Sequence, residues 1–252
     1  MRRHVRFTLW LAMGLTLLVH PMAFAQEDYQ FVWQVPKGEG FNDPWGVATD
    51  KEGHIYVADT QNCFIKKLGR NGGVIKQWGG RGTGDGYFKN PMRVAVDNQG
   101  NVYVTDYGNH RLQKFDSNGE FIKNLVEEGD GEGKVHYPHD VAVDAAGNVF
   151  LSDWSYYRIQ KFNSNGDFIT MWGGSGPYEG QFYGPPGLAL DASGFVYASD
   201  FGNHRIQKFD SNGKFITLWG QYGSGKGELS GPSGMAVDEL GHIYVAEDGN
   251  HR

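Results

Sequence analysis

One register constrains this chain more than any other feature: shifted by 47 residues against itself, the sequence matches without gaps from Pro44 onward. Pro44, Pro91, Pro138, Pro185 and Pro232 fall in step, as do Asp50, Asp97, Asp144, Asp191 and Asp238. Gly53, Gly100, Gly147, Gly194 and Gly241 keep the same spacing, and so does the aromatic series Tyr56, Tyr103, Phe150, Tyr197 and Tyr244. Such self-similarity marks architectures in which each copy hides its apolar face against the next.

Within the unit 91–137, strands are expected near 93–96, 101–105, 111–115 and 121–125. The segments between them, Asp97-Asn98-Gln99-Gly100, Asp106-Tyr107-Gly108-Asn109-His110 and Asp116-Ser117-Asn118-Gly119, are rich in residues that accept the positive φ of tight hairpins. No run between them is long enough for a helix, so antiparallel sheets are expected. The 38 glycines of this 252-residue chain, roughly twice ordinary usage, fit a fold of many tight turns. A four-stranded unit cannot cover both of its faces alone, and the closed solution for such units is radial stacking. The expected fold class is therefore all-β, a β-propeller of four-stranded antiparallel blades. Its units are 44–90, 91–137, 138–184, 185–231 and a partial 232–252. Phe41, Phe88, Val135, Phe182 and Leu229, three positions before each proline, are expected to plug the joints between blades. Glycine-rich runs such as 79–86 would bend the chain from one blade's outer strand to the next blade's inner strand.

The units resemble those of the NHL repeat family. Gly108-Asn109-His110-Arg111-Leu112-Gln113-Lys114-Phe115 and Gly202-Asn203-His204-Arg205-Ile206-Gln207-Lys208-Phe209 carry the likeness, and Ser155-Tyr156-Tyr157-Arg158-Ile159-Gln160-Lys161-Phe162 is a degraded third copy. The resemblance implies a propeller, commonly six-bladed. On that expectation the chain reads as a fragment lacking roughly 60 residues, with residues 30–35 serving as an outer strand through Trp33.

Residues 1–25 read as a signal peptide: a basic start at Arg2, Arg3 and Arg6, an apolar run over 7–19, and the small-x-small site Ala23-Phe24-Ala25. The apolar run is shorter than the ~20 residues that span a bilayer, so no stable membrane insertion is expected after cleavage. Residues 26–252 would form the propeller, secreted or periplasmic. Without the leader, 20 lysines and arginines face 29 acidic residues, a net charge near −9, which argues against nucleic acid as a partner. The single Cys63 excludes an internal disulfide.

Function on a repeated scaffold is sought where copies differ. After the repeat proline stand Trp45, Met92, His139, Pro186 and Ser233, and one position later Arg93 and Asp140 replace glycine. After the second repeat acid stand Thr60, Tyr107, Trp154, Phe201 and Asp248, with Tyr156 and Tyr157 in place of an Asn-His pair. If both sets share a face, Arg93, His139 and Asp140 form a polar group inside a rim of Tyr107, Trp154, Tyr156 and Phe201. Such a face would take a protein, peptide or glycan.

The segment 137–144 is also similar to a blade of the peptidylglycine amidating lyases, metal-dependent propeller enzymes. That resemblance places His139 at a zinc-ligand position, but Trp45, Met92, Pro186 and Ser233 do not supply the other histidines. No metal site and no cofactor are assigned from the sequence. His110, His204 and His251 recur at the repeat spacing and read as turn residues, because equivalent turns lie far apart around a ring. Asp106 and Arg111, Asp153 and Arg158, Asp200 and Arg205, and Glu247 and Arg252 are expected to bridge their turns, while the first unit, with Asp59 but Phe64, is expected to lack the bond. The glycine runs lack a phosphate-loop pattern, and the acidic run 127–133 reads as a solvated loop.

Overall fold

A computed structural model describes residues 40–184 and 187–252. The leader, the 30–35 strand, Pro185 and Pro186 lie outside the described residues. Blade 1 comprises β1 (Pro44–Thr49), β2 (Ile55–Asp59), β3 (Phe64–Leu68) and β4 (Val74–Gly79). Blade 2 comprises β5 (Pro91–Val96), β6 (Val102–Asp106), β7 (Arg111–Phe115), β8 (Phe121–Glu128) and β9 (Lys134–Val135). Blade 3 follows with β10 (Pro138–Val143), β11 (Val149–Asp153), β12 (Arg158–Phe162) and β13 (Phe168–Gly173). Blade 4 holds β14 (Leu188–Leu190), β15 (Val196–Asp200), β16 (Arg205–Phe209) and β17 (Phe215–Trp219), and β18 (Pro232–Val237) pairs with β19 (Ile243–Glu247) in blade 5. Within each sheet consecutive strands pair antiparallel, save β8 with β9. The arrangement is all-β and propeller-like. Among the described residues no helix is long and apolar enough to cross a membrane.

The sequence explains the hairpins locally. Asp97 turns the chain by accepting from the N–H groups of Gln99 (2.9 Å) and Asn101 (2.8 Å), and Gly100 takes φ +86° beside it. Tyr103 returns its hydroxyl to the same carboxylate at 3.0 Å. Asp144, Asp191 and Asp238 repeat the turn.

One expectation needs correction. The second unit's outer strand runs past residue 125 to Glu128, and it pairs in parallel with Lys134–Val135, so antiparallel pairing is not universal. The same loop touch appears as isolated parallel bridges from Arg81 to Phe88, Ser175 to Phe182 and Tyr222 to Leu229. The plug residues cause it: Phe88, Val135 and Phe182 are fully buried, and folding the chain back on the outer strand is what carries them there.

Four apolar clusters follow, each shared by two successive blades. In the first, Tyr56, Ile65, Trp78 and Phe88 pack with Val94, Val104 and Phe115. The pattern recurs from blade 2 to 3, 3 to 4 and 4 to 5. Trp78 lies 6.0 Å from Phe115, and Trp172 lies 5.9 Å from Phe209, so both of these outer-strand indoles reach into the following blade. Burial of whole aromatic side chains at these joints is the main force holding blade to blade.

Candidate functional site at the inner-strand face

Every inner strand starts where the β2–β3 type of turn ends, because the two are hydrogen-bonded. Gly108 N–H donates to Lys89 O at 2.7 Å, Trp154 N–H to Tyr137 O at 3.2 Å, and Gly202 N–H to Tyr183 O at 2.5 Å. The residues after the repeat proline and the residues after the second repeat acid therefore share one face of the molecule.

On that face Tyr107 is half-buried and packs on Tyr137 with centroids 4.9 Å apart, while Trp154 and Phe201 are 42% and 39% exposed. Trp154 lies 5.7 Å from the His139 ring, so this predicted pair does meet. Tyr156 points away from the axis, to Asp130 at 2.6 Å.

The three polar residues are deeper than the aromatics. Arg93, His139 and Asp140 are all buried. Arg93 Nη1 donates to Trp45 O on the preceding blade at 2.6 Å. Asp140 accepts from Val141 N–H at 2.8 Å and, across the seam to blade 4, from Leu188 N–H at 2.9 Å. Arg93 and Asp140 thus each clasp the inner strand of a neighbour. The glycines in their place elsewhere are there for space: a Cβ on Gly187 would stand 1.9 Å from Ser233 O.

Electrostatics follow from burial. Desolvation, with Arg93 adding repulsion, pushes the His139 imidazole down to about 3, which keeps it neutral, and its Nδ1 has no hydrogen-bond partner. Burial pushes the Asp140 carboxyl up against the opposing pull of Arg93 and the two main-chain donors. An axial cavity of about 90 Å³ is walled by Val47, Val94, Val141, Leu188 and Met235, one residue from each inner strand, together with Arg93 and Asp140. Its wall is the residue three after each proline, a position not singled out from the sequence although its apolar run was visible.

The Asp–Arg pairs form as expected, at 2.9 Å for Arg111, 3.3 Å for Arg158, 2.8 Å for Arg205 and 2.6 Å for Arg252. The first unit departs from expectation. Its Asp59 is not left bare, because Lys66, two residues along from Phe64, supplies the cation at 2.7 Å. The recurrent histidines act in their turns: His110 Nδ1 accepts from Tyr137 N–H and His204 Nδ1 from Gly231 N–H, both at 3.1 Å.

Comparison with known proteins agrees with this geometry. The family model described as NHL repeat matches residues 41–68, 88–115, 182–209 and 229–252. Blade 3, in which Tyr156 and Tyr157 displace the Asn-His pair, is not among those segments. No curated protein matches the chain. Among solved structures it is similar to virginiamycin B lyase from Staphylococcus aureus, with a TM-score of 0.60, 15% identity, and 81% of this chain and 63% of that one covered. A streptogramin B lyase aligns with a TM-score of 0.59 at 15% identity over 81% and 62%. A chain of a nidogen/laminin complex aligns with a TM-score of 0.64 at 18% identity over 81% and 72%. The chain spans less than two thirds of the length of the two lyases, and at these identities the likeness is one of fold.

Proposed function

We propose, from the premise that this is an NHL-repeat protein of the β-propeller type, that it is an exported binding module taking a protein, peptide or glycan on its inner-strand face. One observation carries the reading: Tyr107, Trp154 and Phe201 occupy a single repeat position on three successive blades, each partly exposed and each beside main chain bonded to the turn that holds it. Rigid aromatic rings offer large contact area at small ordering cost. Arg93 and Asp140 serve that face by fixing the inner strands beneath it, and His139 by supporting Trp154. The nidogen/laminin complex supports a protein ligand for a chain of this shape. Export rests on the leader at 1–25.

Glycan arrays and pull-downs from an extracytoplasmic extract, run with the parent and with Tyr107→Ala, Trp154→Ala and Phe201→Ala, test the face. Loss of tenfold or more in affinity, about 1.4 kcal/mol, is expected from at least one of these anchors. Undiminished affinity in all three overturns the proposal.

His139 favours a second reading, a propeller lyase or hydrolase. Its neutral ring with a bare Nδ1 beside Arg93 is the sort of group that polarises or deprotonates a substrate, and one of the similar lyase structures is a catalytically inactive histidine-to-alanine form holding quinupristin. A ring whose pKa is pushed down to about 3 is a weak base at neutral pH, however. Among the described residues no cluster of three metal-ligating groups includes His139. The reading therefore ranks second. Mass spectrometry after incubation with quinupristin, with His139→Ala as control, decides it: product lost in the variant would establish a lyase.

A further inference from the structure

Departures from the repeat converge on the seam between blades 2 and 3. Glu128, Asp130, His136 and Tyr156 stand there, while one repeat onward the same four places hold Ser175, Pro177, Tyr183 and Asn203. The four side chains are joined in a line. Tyr156 donates its hydroxyl to Asp130 Oδ1 at 2.6 Å, and the same oxygen receives His136 Nε2 at 3.0 Å. The other ring nitrogen, Nδ1, faces Glu128 Oε1 at 3.6 Å, and in the tautomer that gives its proton to Asp130 it presents a lone pair there. A lone pair and a carboxylate facing each other are reconciled by a cation between them, either a proton or a metal ion. A carboxylate behind the far nitrogen of a histidine is also the arrangement that orients imidazole toward a metal.

The His110 ring closes the third side. It crosses His136 with centroids 5.5 Å apart, and ligand atoms of His110, Glu128 and His136 all lie within 4.8 Å of one another. Arg158, whose Nη1 donates to Asp130 O at 3.4 Å, is engaged by Asp153 at 3.3 Å. We propose that this seam binds a divalent transition-metal ion of the zinc class through His136 Nδ1, the Glu128 carboxylate and the His110 imidazole, with Tyr156 and Asp130 orienting His136. Two imidazoles and one carboxylate suit zinc, cobalt or nickel, whereas calcium and magnesium prefer oxygen alone. His110 is the most weakly committed ligand. Its Nδ1 accepts from Tyr137 N–H at 3.1 Å, and ligation through Nε2 moves the ring proton to Nδ1 at the expense of that bond.

The test is a titration of the metal-stripped, tag-free chain with Co²⁺, read by ligand-field absorption and reversed by Zn²⁺, with circular dichroism confirming that each variant is folded. A single saturable site is expected. His136→Ala and Glu128→Gln should each weaken it tenfold or more, His110→Ala less, and Asp130→Asn by about 10–100-fold through the lost orientation. His204→Ala, the same turn position on blade 4, should leave it unchanged. Absence of a saturable site, survival of the site in His136→Ala, or equal loss in His204→Ala overturns the proposal.

Discussion

A carboxylate with no exposed surface must find its donors inside the fold, and the repeat motif is a recipe for supplying them. Asp106 collects Lys89 N–H at 2.7 Å, Asn109 at 2.8 Å, Arg111 at 2.9 Å and Gln113 at 3.2 Å. Asp200 repeats the set with Tyr183 N–H, Asn203, Arg205 and Gln207. The Asn, Arg and Gln of the motif therefore serve one buried acid, and the sequence made only the Arg legible because charge pairs are read more readily than amides. Lys66 was missed for a related reason: pairing was sought at a fixed offset, but in the first unit the cation moves two residues along the strand and stays on the same face. His139 yields a pH prediction. Its folded pKa, near 3, lies below the ordinary ~6.5, so as pH falls beneath that ordinary value the unfolded chain takes up a proton that the native chain refuses. Urea unfolding of the parent and His139→Gln between pH 7 and pH 4 should show the parent losing stability relative to the variant as pH falls, by up to about 1.4 kcal/mol per pH unit. Parallel pH profiles would refute a buried neutral His139.

At the scale of the element, the turns of one blade are built to receive the indoles of the previous one. A Cβ on Gly213 would lie 2.4 Å from the Trp172 ring, and one on Gly119 would lie 2.5 Å from Trp78. Glycine was expected in these turns for its positive φ, but the need for room was not visible, since Trp172 and Gly213 are distant in sequence and meet only when blades stack. The two demands can be separated. Gly194 has φ +83° with open space around it, and Gly213 has φ +85° beneath Trp172. Gly194→Ala should cost about 1–2 kcal/mol for the left-handed backbone alone. Gly213→Ala should cost a further 1–3 kcal/mol, roughly, for overpacking. Denaturant midpoints measure both, and equal losses would show that the indole yields freely.

At the scale of the whole molecule, two kinds of tie fasten the seams, and the seams from blade 1 to 2 and from 2 to 3 carry both. Near the axis a hydroxyl bridges inner strands: Thr60 Oγ1 donates to Pro91 O at 2.7 Å, Thr105 Oγ1 to His139 O at 3.3 Å and Ser199 Oγ to Ser233 O at 2.8 Å. Farther out a lysine lies over its own blade's aromatic ring and reaches a turn carbonyl of the next. Lys67 meets Ser117 O at 3.2 Å, Lys114 meets Ser164 O at 3.5 Å and Lys161 meets Ser211 O at 2.8 Å. The stacking of blades was legible in the repeat, but these ties were not, because they join residues 31 to 50 apart in sequence that only the folded registry brings together. Ser199→Ala strands Gly187 N–H and Ser233 O, a loss of about 1–3 kcal/mol. Since repeat arrays share stability between neighbours, amide exchange should quicken in blades 4 and 5 before blades 1 and 2. Uniform acceleration throughout would mean that the seams are not separable units.

A blade pinned at both hub and rim has no axis left on which to swing. The spacing between rings on adjacent blades is then a fixed property of the frame, and a visiting molecule meets a surface already set. Little freedom remains to be surrendered when it lands, so selectivity here would come from matching a rigid pattern of rings and not from a loop closing over the guest.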